Sequence, residues 1–477
     1  MLKIDFLITC SFKNSIYNNM NNILFLTDSY KVSHHKQYPK NTQYVYSYFE
    51  SRGGEFNEVC FFGLQYLIKK YLCGKVVTQE MIDDATKLYE KHFGTNQNVF
   101  NREGWQYILD IHNGYLPIII KAIPEGTILP VKNCCMTVEN TDPKCFWLVN
   151  FVETLLVQVW YPMTVATNSR EQKKIIMKYL EETGDPTTVA FKLHDFGCRG
   201  VSSMETAGIG GCAHLTQFLG TDTVPALIVA DEYYDCECAG FSIPASEHST
   251  MTTYTKEGEV EAYENMLNTY PKGLVAVVSD SYDIYNACSE IWGTILKDKV
   301  MAREGTLVIR PDSGHPPDVD LKILQILGEK FGAKKNEKGY LVLDEHVRII
   351  QGDGIDKEML ETILEHLKQN GWSADNIAFG SGGGLLQKMN RDTLKCAFKC
   401  SNIVINDNNI DVFKDPIDAP GKKSKKGKMT VNRIDEKIVT LCGESRNEES
   451  DLLEVVFQNG ILTKEYSLEE IRNKSLL

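Results

Sequence analysis

The sequence predicts an α/β fold, namely an irregular β/α barrel with a second β-rich domain built from both ends of the chain. Short apolar runs end in glycine or polar residues, segments of helical periodicity lie between them, and strand-like sequence flanks the whole set. Strands that alternate with helices pair in parallel, and right-handed crossovers close such a set into a barrel or a doubly wound sheet. A barrel is favoured because it gathers the loops that follow the strands at one rim.

Each apolar run is interpreted as a buried strand. In chain order the runs are Phe191–Leu193, Leu274–Val278, Leu307–Ile309, Val347–Ile350 and Ile377–Phe379. Apolar residues that recur every three or four positions predict helices among them. These helices span about 256 to 269, 284 to 298, 318 to 331 and 356 to 370.

The last apolar run leads into Gly380–Gly384, and helical spacing resumes at Leu385. Glycines have no Cβ, so several backbone N–H groups can converge on one anion, and a helix that begins at Leu385 would add the positive end of its dipole. An ordinary glycine-rich turn is the alternative for one such loop alone. In a barrel this loop would share a pocket with the carboxylates and arginines that end the other strands, which favours a phosphate site.

The regions on either side of the barrel contain further strands. They are predicted at Tyr44–Phe49, Ile403–Ile405, Lys437–Leu441 and Leu453–Phe457. We therefore expect a β-rich domain from 31–150 and 400–477, a barrel from 151–399, and residues 1–30 as an N-terminal extension and interface segment. The lysine-rich stretch Gly421–Lys428 is expected to be a mobile, solvated loop that could close over an anionic substrate.

Composition excludes several classes of protein. The 477 residues are 43% hydrophobic and 24% charged, which is typical of globular domains, and the net charge of −13 argues against a protein that coats nucleic acid. The 14 cysteines are scattered and are interpreted as reduced thiols; Cys236 and Cys238 could bind a soft metal only with ligands from elsewhere. No apolar run reaches membrane-spanning length, and Phe6–Cys10 is too short for a signal sequence. We expect a cytoplasmic protein without nucleic-acid or membrane partners.

Several loops, in order along the chain, resemble those of the nicotinamide phosphoribosyltransferases in the type II phosphoribosyltransferase family. The resemblance runs from about Asn22 to Ile471. It is carried by Thr27–Val32, Ala166–Glu171, His194–Gly197, Gly220–Thr223, Pro244–Ser249 and the loops at Ser279, Arg310, Gly352 and Gly380.

The resemblance implies an activity with defined cofactors and partners. Phosphoribosyl would pass from phosphoribosyl diphosphate to nicotinamide, giving nicotinamide mononucleotide and diphosphate in NAD salvage. The family uses Mg²⁺ and couples the reaction to ATP hydrolysis through a phosphohistidine. Its active sites are shared between the two subunits of a homodimer.

The resemblance also assigns residues to the base. Phe196 and the partner subunit's Tyr30 would sandwich the nicotinamide ring, which suits the preference of flat rings for aromatic faces. Asp222 would accept a hydrogen bond from the carboxamide, and the same carboxylate would repel the carboxylate of nicotinic acid.

The same resemblance assigns two further groups of residues to the phosphates and the ribose. One group lies on the loops that follow the strands and consists of Arg199, Ser279, Arg310, Ser313, Gly352, Asp353, Gly382, Gly383 and Gly384. The other reaches phosphate across the dimer interface and consists of Arg391, Lys399, Lys414 and Lys422.

Three residues are implied in catalysis. Asp283 and Asp312 are expected nearest the magnesium-bound diphosphate, because hard cations take oxygen ligands. His248 resembles the histidine that is phosphorylated, and neighbouring Glu247 could orient it; neutral imidazole is a suitable phosphoryl acceptor.

Two departures from the family pattern bear on ligand affinity and inhibitor fit. Ala397 stands where the family usually has a serine, and Cys198 where it usually has a tyrosine. Three alternatives are weighed against the main hypothesis. A nicotinate phosphoribosyltransferase is disfavoured by the charge of Asp222, and a non-catalytic metabolite-binding or signalling protein of the same fold would have no reason to keep His248 and the phosphate loops. An aldolase-like barrel would need a Schiff-base lysine that the strands do not offer convincingly.

Overall fold

A computed structural model describes residues 21–94, 98–418 and 422–476. The expected extension over residues 1–20, and Gly421 of the lysine-rich stretch, therefore lie outside the described residues. The strands, in chain order, are β1 (Thr42–Ser51), β2 (Glu58–Cys60), β3 (Ile118–Ala122), β4 (Ile128–Pro130), β5 (Cys134–Asn140), β6 (Leu193–Asp195), β7 (Gly220–Thr221), β8 (Val275–Val278), β9 (Leu307–Arg310), β10 (Ala333–Lys335), β11 (Leu341–Leu343), β12 (Val347–Gln351), β13 (Ile377–Ser381), β14 (Cys396–Ile405), β15 (Asn408–Asp411), β16 (Met429–Ile434), β17 (Lys437–Cys442), β18 (Glu454–Gln458) and β19 (Ile461–Leu462).

The α-helices frame both sheets. They span Leu64–Tyr71, Gln79–Phe93, Arg102–His112, Leu148–Phe151, Glu153–Leu156, Trp160–Thr183, Met204–His214, Val224–Tyr234, His248–Met251, Glu259–Thr269, Ile284–Asn286, Lys297–Met301, Pro316–Phe331, Lys357–Gln369, Gly383–Leu386 and Leu468–Lys474.

The predicted barrel is confirmed, and its closure is irregular. Six parallel strands lie in the order β7-β6-β13-β12-β9-β8. Segment 241–246 joins the two edges. On one side the Phe241 N–H donates to the Leu219 carbonyl at 2.7 Å, and on the other the Ser246 N–H donates to the Ala276 carbonyl at 3.0 Å. The ring is therefore closed by an extended segment that forms only isolated bridges to its neighbours.

Successive side chains along each barrel strand point outward and inward in turn, so the barrel residues divide between two buried clusters. The outward side chains, such as Val277, Ile309 and Phe379, join the helices in a large buried cluster. The inward side chains form a much smaller cluster of Ala276, Val308 and Ile350, with Phe196, Ile243 and Ala378 packed against it. Because these inward residues are few and mostly small, the barrel keeps an internal cavity.

The β-rich part is built from both ends of the chain, as the sequence predicts. Its seven strands lie in the order β15-β14-β1-β5-β3-β18-β19 and pair antiparallel. The long ladder between β1 and β14 places Tyr48 opposite Lys399. Strand β14 begins at Cys396, four residues before the expected start of this region at 400.

Three helices that position the site are absent from the sequence prediction. They are Trp160–Thr183, Met204–His214 and Val224–Tyr234. Met204–His214 is buried over residues 207–214, so it has no polar face to reveal a helical period. Two predicted helices also differ in form. The one at 284–298 is a single turn followed by a π-helix over Ala287–Ile295, and the one from Leu385 is the short Gly383–Leu386.

The lysine-rich stretch differs from the expected mobile loop, because two of its side chains are tied to the antiparallel sheet. The Lys425 ammonium pairs with Glu50 of β1, and the Lys428 ammonium pairs with Glu139 of β5 at 2.5 Å. These ion pairs hold Lys425 and Lys428 in place, whereas Lys422, Lys423 and Lys426 are exposed.

The cysteines and helices agree with two further expectations. All thirteen cysteines in the described residues are free thiols. Within the same residues, no helix combines the length and the apolar character that crossing a membrane requires.

Candidate functional site at the barrel mouth

The loops that follow the barrel strands meet at one rim, as parallel strands require. We call this site the barrel mouth. Its residues are Phe196, Arg199, Asp222, His248, Asp280, Arg310, Asp312, Ser313, Gly352, Asp353, Gly382, Gly383 and Gly384.

Phe196 is fixed at the mouth by close backbone contacts. Its N–H donates to the Ser381 carbonyl at 2.9 Å. A Cβ on Gly380 would lie 1.9 Å from the Phe196 ring, and one on Gly352 would lie 3.4 Å from it. Gly380 is therefore required for ring placement, and the aromatic face is held between the ends of β13 and β12.

Asp222 lies on the same side of the mouth as Phe196. Its N–H donates to the backbone carbonyl of Asp195 at 2.9 Å, and its carboxylate accepts a hydrogen bond from the Ser242 hydroxyl at 2.5 Å. Ser242 belongs to the segment that closes the barrel. Segment 241–246 therefore orients the Asp222 carboxylate, and Asp222 remains exposed to a ligand.

A cavity of about 640 Å³ runs from these residues into the barrel. Phe196, Asp222 and Arg310 line one part of it, apolar side chains such as Ile243 and Val308 line the middle, and charged residues that include Lys192, Glu345, Arg348 and Asp375 line the remainder. A cavity with apolar walls and a few convergent polar groups is typical of a site for a small molecule. It can accept a flat ring at Phe196 while an attached group faces Asp222.

Gly382–Gly384 continue from β13 beside Phe196 and begin the helical turn Gly383–Leu386; a Cβ on Gly382 would lie 3.3 Å from the Phe196 carbonyl. The first N–H groups of a helix have no acceptor within it, so they are free to face an anion. A Cβ on Gly383 would meet no atom within 4 Å, whereas one on Gly384 would lie 2.5 Å from the Ile355 carbonyl. Gly384 is therefore needed for packing, and Gly383 leaves the approach to the N–H groups open.

Asp280 organises the polar side of the mouth, although the sequence prediction passed over it. One carboxylate oxygen accepts hydrogen bonds from the Asp312 N–H at 3.1 Å and the Ser313 hydroxyl at 2.6 Å. The other lies 2.9 Å from His248 Nε2. Its side chain is 4% exposed, so its charge acts through these partners. The signal was present, because Asp280 follows β8 directly, as the predicted residues follow their strands.

His248 and Arg310 complete this side. His248 lies between two carboxylates, since its Nδ1 is 3.7 Å from Asp312 as well. The Arg310 guanidinium is 4.0 Å from Asp312, and its Nε is buried without a hydrogen-bond partner. Exposed Arg199 faces Glu247 at 3.6 Å. Arg310, whose guanidinium is only partly paired, is therefore available to an anionic ligand.

Two predicted residues have structural partners. Asp283 caps the turn Ile284–Asn286, because one of its oxygens accepts the N–H groups of Tyr285 and Asn286 at 3.0 Å each. The Ser279 hydroxyl donates to the Val277 carbonyl and accepts from the Trp292 indole N–H, in the core beneath the mouth. Their roles toward ligands stay predictions.

Known proteins match the chain over the regions that build this site. The nicotinate phosphoribosyltransferase (NAPRTase) family model matches residues 191–461, and the model of the nicotinamide phosphoribosyltransferase N-terminal domain matches residues 22–120. The chain belongs to the nicotinate phosphoribosyltransferase family. It is therefore similar to enzymes that transfer phosphoribosyl groups, and the barrel mouth lies within the matched region.

Curated relatives and solved structures agree with this family. A nicotinamide phosphoribosyltransferase from Xanthomonas campestris pv. campestris is 48% identical over 95% of this chain and 98% of its own length. One from Acinetobacter baylyi is 34% identical over 95% of this chain and 97% of its own length. The crystal structure of human nicotinic acid phosphoribosyltransferase has a TM-score of 0.55 at 14% identity and covers 94% of this chain and 92% of its own, which shows the shared fold.

The remaining predicted site residues of this family member lie elsewhere, in a region that we call the outer patch. Its residues are Tyr30, Arg391, Lys399, Lys414 and Lys422. The Tyr30 side chain is 61% exposed. Burial raises the pKa of Tyr30, as do Asp28 and Glu153, while Arg391 opposes them. Burial lowers the pKa of Lys399, and Arg391 and Lys414 act in the same direction. Tyr30, Arg391, Lys399 and Lys414 therefore share one electrostatic neighbourhood, and Lys422 is an exposed residue of the lysine-rich stretch. In the described part of the chain, none of the polar contacts of these residues reaches the barrel mouth.

The donor set of the mouth suits a hard cation carried by a diphosphate. Asp312 of the mouth offers carboxylate oxygens, which Mg²⁺ prefers, and Asp283, in the loop after β8, has one oxygen that is not used in capping. A compact group of metal-binding side chains occurs elsewhere in the described residues, at His112, Asp142 and Cys145 of the β-rich part. There the Asp142 carboxylate already accepts hydrogen bonds from Tyr107 and from the Lys144 N–H, and it contacts His112 at 2.8 Å.

Proposed function

We propose that this chain is a nicotinamide phosphoribosyltransferase. It would transfer phosphoribosyl from phosphoribosyl diphosphate to nicotinamide and release nicotinamide mononucleotide and diphosphate. The observation that supports this most is the shared cavity, in which Phe196 and Asp222 face one ligand group and Arg310 another. The names of the curated relatives support the same substrate.

The base end of the cavity selects the amide. A pyridine ring against Phe196 gains contact with an aromatic face. Asp222 accepts a hydrogen bond from the carboxamide N–H₂, and it would repel the carboxylate of nicotinic acid. The Ser242 hydroxyl, 2.5 Å from Asp222, fixes the carboxylate in one orientation. Amide specificity therefore rests on one charge with little freedom to rotate away.

The phosphate end would stabilise the leaving group. The pyridine nitrogen attacks ribose C1, the bond to the diphosphate oxygen breaks, and the bonding electrons leave with diphosphate. Arg310 is a fixed donor for this negative charge, and the free N–H groups of Gly383 and Gly384 would hold the 5′-phosphate of the sugar, so neither needs to reorganise during reaction. Mg²⁺, when bound with diphosphate near Asp312 and Asp283, would neutralise part of the developing charge.

His248 is proposed to accept the γ-phosphoryl group of ATP. Nε2–H donates a hydrogen bond to the Asp280 carboxylate, which leaves the lone pair on Nδ1. Nδ1 would attack the γ-phosphorus, a nitrogen–phosphorus bond would form, and ADP would leave with the electrons of the broken bond. The Asp280 contact thus fixes the tautomer that this step needs.

The outer patch is proposed to complete the mouth of a second copy in a homodimer. Tyr30 would supply the second aromatic face, and Arg391 with the lysines would supply phosphate contacts. The exposure of Tyr30 and the cluster of cations around Lys399 support this arrangement. Within its own chain the Tyr30 ring lies beside His34, at 5.2 Å between ring centroids, and its exposed part would be covered by the second copy.

The test of substrate is a direct comparison of bases. Purified full-length protein with phosphoribosyl diphosphate, Mg²⁺ and labelled nicotinamide should form labelled mononucleotide, and nicotinate should react far more slowly. Faster reaction of nicotinate would reassign the substrate. No release of diphosphate with either base, from protein shown to be folded, would favour a non-catalytic binding protein.

The test of the phosphohistidine is labelling with γ-labelled ATP. The wild type should retain acid-labile label, and His248→Asn should retain none. His346→Asn is the matched control, because His346 also contacts an aspartate, Asp344, at 2.6 Å, but on a connection away from the mouth. Equal labelling of the wild type and the His248 variant would reject the assignment.

A further inference from the structure

The two walls of the barrel mouth are supported from behind by one helix, Met204–His214, whose buried face carries three glycines. A Cβ on Gly210 would lie 2.2 Å from the Tyr161 hydroxyl, and one on Gly211 would lie 2.9 Å from Asp195 Oδ2. Glycine in a helix interior costs about 1 kcal/mol relative to alanine. The close approach of these two polar side chains explains why glycine stands at both positions.

Tyr161 supports the phosphate wall. Its hydroxyl donates to the Leu386 carbonyl at 2.9 Å, at the end of the turn that begins with Gly383. The Thr206 carbonyl lies 3.3 Å away and offers a second acceptor on the supporting helix. Burial raises the pKa of Tyr161, so the hydroxyl stays protonated and remains a donor. The orientation of the glycine N–H groups therefore depends on a bond made outside the mouth.

Asp195 supports the base wall. One carboxyl oxygen accepts the Gly197 N–H at 2.7 Å, which fixes the chain directly after Phe196. The backbone carbonyl of Asp195 accepts the N–H of Asp222. Its other oxygen, Oδ2, is buried beside the Thr223 hydroxyl, and neither atom has a well-directed hydrogen bond. A side chain with no exposure cannot touch a ligand, so Asp195 acts through its neighbours.

We propose that Tyr161 and Asp195 are positioning residues for the two halves of the mouth, Tyr161 for the phosphoribosyl donor and Asp195 for the base. The inference rests on the proposed function, since it assigns one half to each substrate. The two halves touch, because a Cβ on Gly197 would lie 2.6 Å from Leu386 Cδ1, but the hydrogen bond of each positioning residue ends on a different half. A change in one should therefore weaken one substrate more than the other.

The experiment measures KM for both substrates, together with the Kd for phosphoribosyl diphosphate by calorimetry, on the full-length protein. Tyr161→Phe removes one neutral hydrogen bond and should raise the KM and Kd for phosphoribosyl diphosphate about fivefold. The KM for nicotinamide should change less than about twofold in that variant. Asp195→Ala should show the reverse, with the KM for nicotinamide raised about tenfold.

Asp195→Asn is the conservative control. Its amide oxygen can still accept the Gly197 N–H, so it should restore most of the affinity for nicotinamide that Asp195→Ala loses. Circular dichroism and thermal unfolding identify variants that fail to fold. Should Asp195→Ala fail to fold, an Asp195→Asn variant that weakens phosphoribosyl diphosphate more than nicotinamide would still overturn the assignment of Asp195 to the base.

The outcomes separate this inference from the proposed function. An active wild type in which Tyr161→Phe weakens both substrates equally, or neither, overturns the inference alone. A wild type that uses neither base overturns the proposed function. In that case, an unchanged Kd for phosphoribosyl diphosphate in Tyr161→Phe would also overturn the Tyr161 assignment.

Discussion

The barrel mouth and the outer patch are built in opposite ways. In the mouth, several polar groups are oriented by one another, as Asp280 orients His248, Asp312 and Ser313. In the outer patch, Tyr30 is exposed, and the ion-pair partner of Arg391 among the described residues is its neighbour Asp392, at 4.0 Å. Much of the mouth is therefore preorganised within one chain, whereas Tyr30 and Arg391 of the patch are weakly held. An active site shared between two copies of the chain predicts this difference between the mouth and the patch.

The largest effect is expected from the arginine of the mouth. Arg310→Ala should lower kcat/KM by about 100-fold or more, because a partly buried cation that meets a phosphate contributes about 2 to 5 kcal/mol. Arg433→Ala is the control, since Arg433 lies on the exposed β16–β17 hairpin and contacts only a backbone carbonyl. Initial rates at varied phosphoribosyl diphosphate measure both. Similar losses in the two variants would mean that general charge, not the mouth, binds the donor.

A mixing experiment tests whether the patch serves a second copy. Tyr30→Ala should lower activity about 10-fold through loss of one aromatic face, and Asp222→Ala should lower it further. When the two proteins are unfolded and refolded together, half of the dimers contain one intact shared site. Activity should then return to about a quarter of the wild-type value, as random pairing requires.

No recovery in the mixture, from protein shown to be dimeric, would mean that each chain builds its own complete site. Co-refolding Asp222→Ala with His248→Asn is the matched control. Both changes lie in the mouth, so one subunit of each mixed dimer cannot repair the other, and activity should stay low.

A smaller effect concerns the stability of the barrel, where the carboxyl group of Asp320 is buried. Neither oxygen of Asp320 has a hydrogen-bond partner, and burial raises its pKa well above the ordinary value. Asp320→Asn should therefore raise the free energy of unfolding at pH 7 by about 1 to 3 kcal/mol.

The sign of the pH dependence follows from the raised pKa of Asp320. The folded state holds the proton more tightly than the unfolded chain, so the wild type is relatively most stable below about pH 4 and loses stability as pH rises toward the folded pKa. The advantage of Asp320→Asn in urea unfolding should accordingly grow from pH 4 to pH 7. Glu329→Gln, on the exposed face of the same helix, should show little change. A constant difference at all pH values would contradict the assignment.

The smallest effect is expected from an exposed lysine of the outer patch. Lys422→Ala should raise the KM for phosphoribosyl diphosphate about two- to threefold, because an exposed cation contributes less than about 1 kcal/mol. The difference should shrink as salt is raised from 50 to 300 mM, since salt screens exposed charges. Lys437→Ala, on the exposed end of a hairpin strand, should leave KM unchanged. An effect of Lys422→Ala that persists at high salt would place the lysine in direct, desolvated contact.

Much of the barrel could be predicted from the sequence, because buried parallel strands are continuous apolar runs. The runs at 307–309, 347–350 and 377–379 correspond to β9, β12 and β13 within two residues. The closing segment 241–246 was missed, since it contains Pro244 and makes only isolated bridges. The helix Met204–His214 was missed because burial on all sides removes the alternation that reveals a helix.

The candidate site, like the fold, could be predicted from the sequence only in part. Residue types at strand ends indicated Asp312, Gly383 and Arg310, but they could not show that Ser279 bonds into the core or that Asp283 caps a turn. They also could not single out Asp280 from its neighbours in Ser279–Asp283. Which of several polar residues in a loop faces inward depends on backbone direction, and that is fixed by packing.

The sequence by itself determined the class of fold and the chemical character of the mouth, because apolar periodicity and glycine act locally along the chain. Only the tertiary structure decided that Asp280 contacts His248, that Tyr161 and Asp195 lie against the glycines of one helix, and that Tyr30 is exposed near Arg391. Those relations join residues far apart in sequence. They arise from close packing and from the need to satisfy buried polar groups, which no local pattern records.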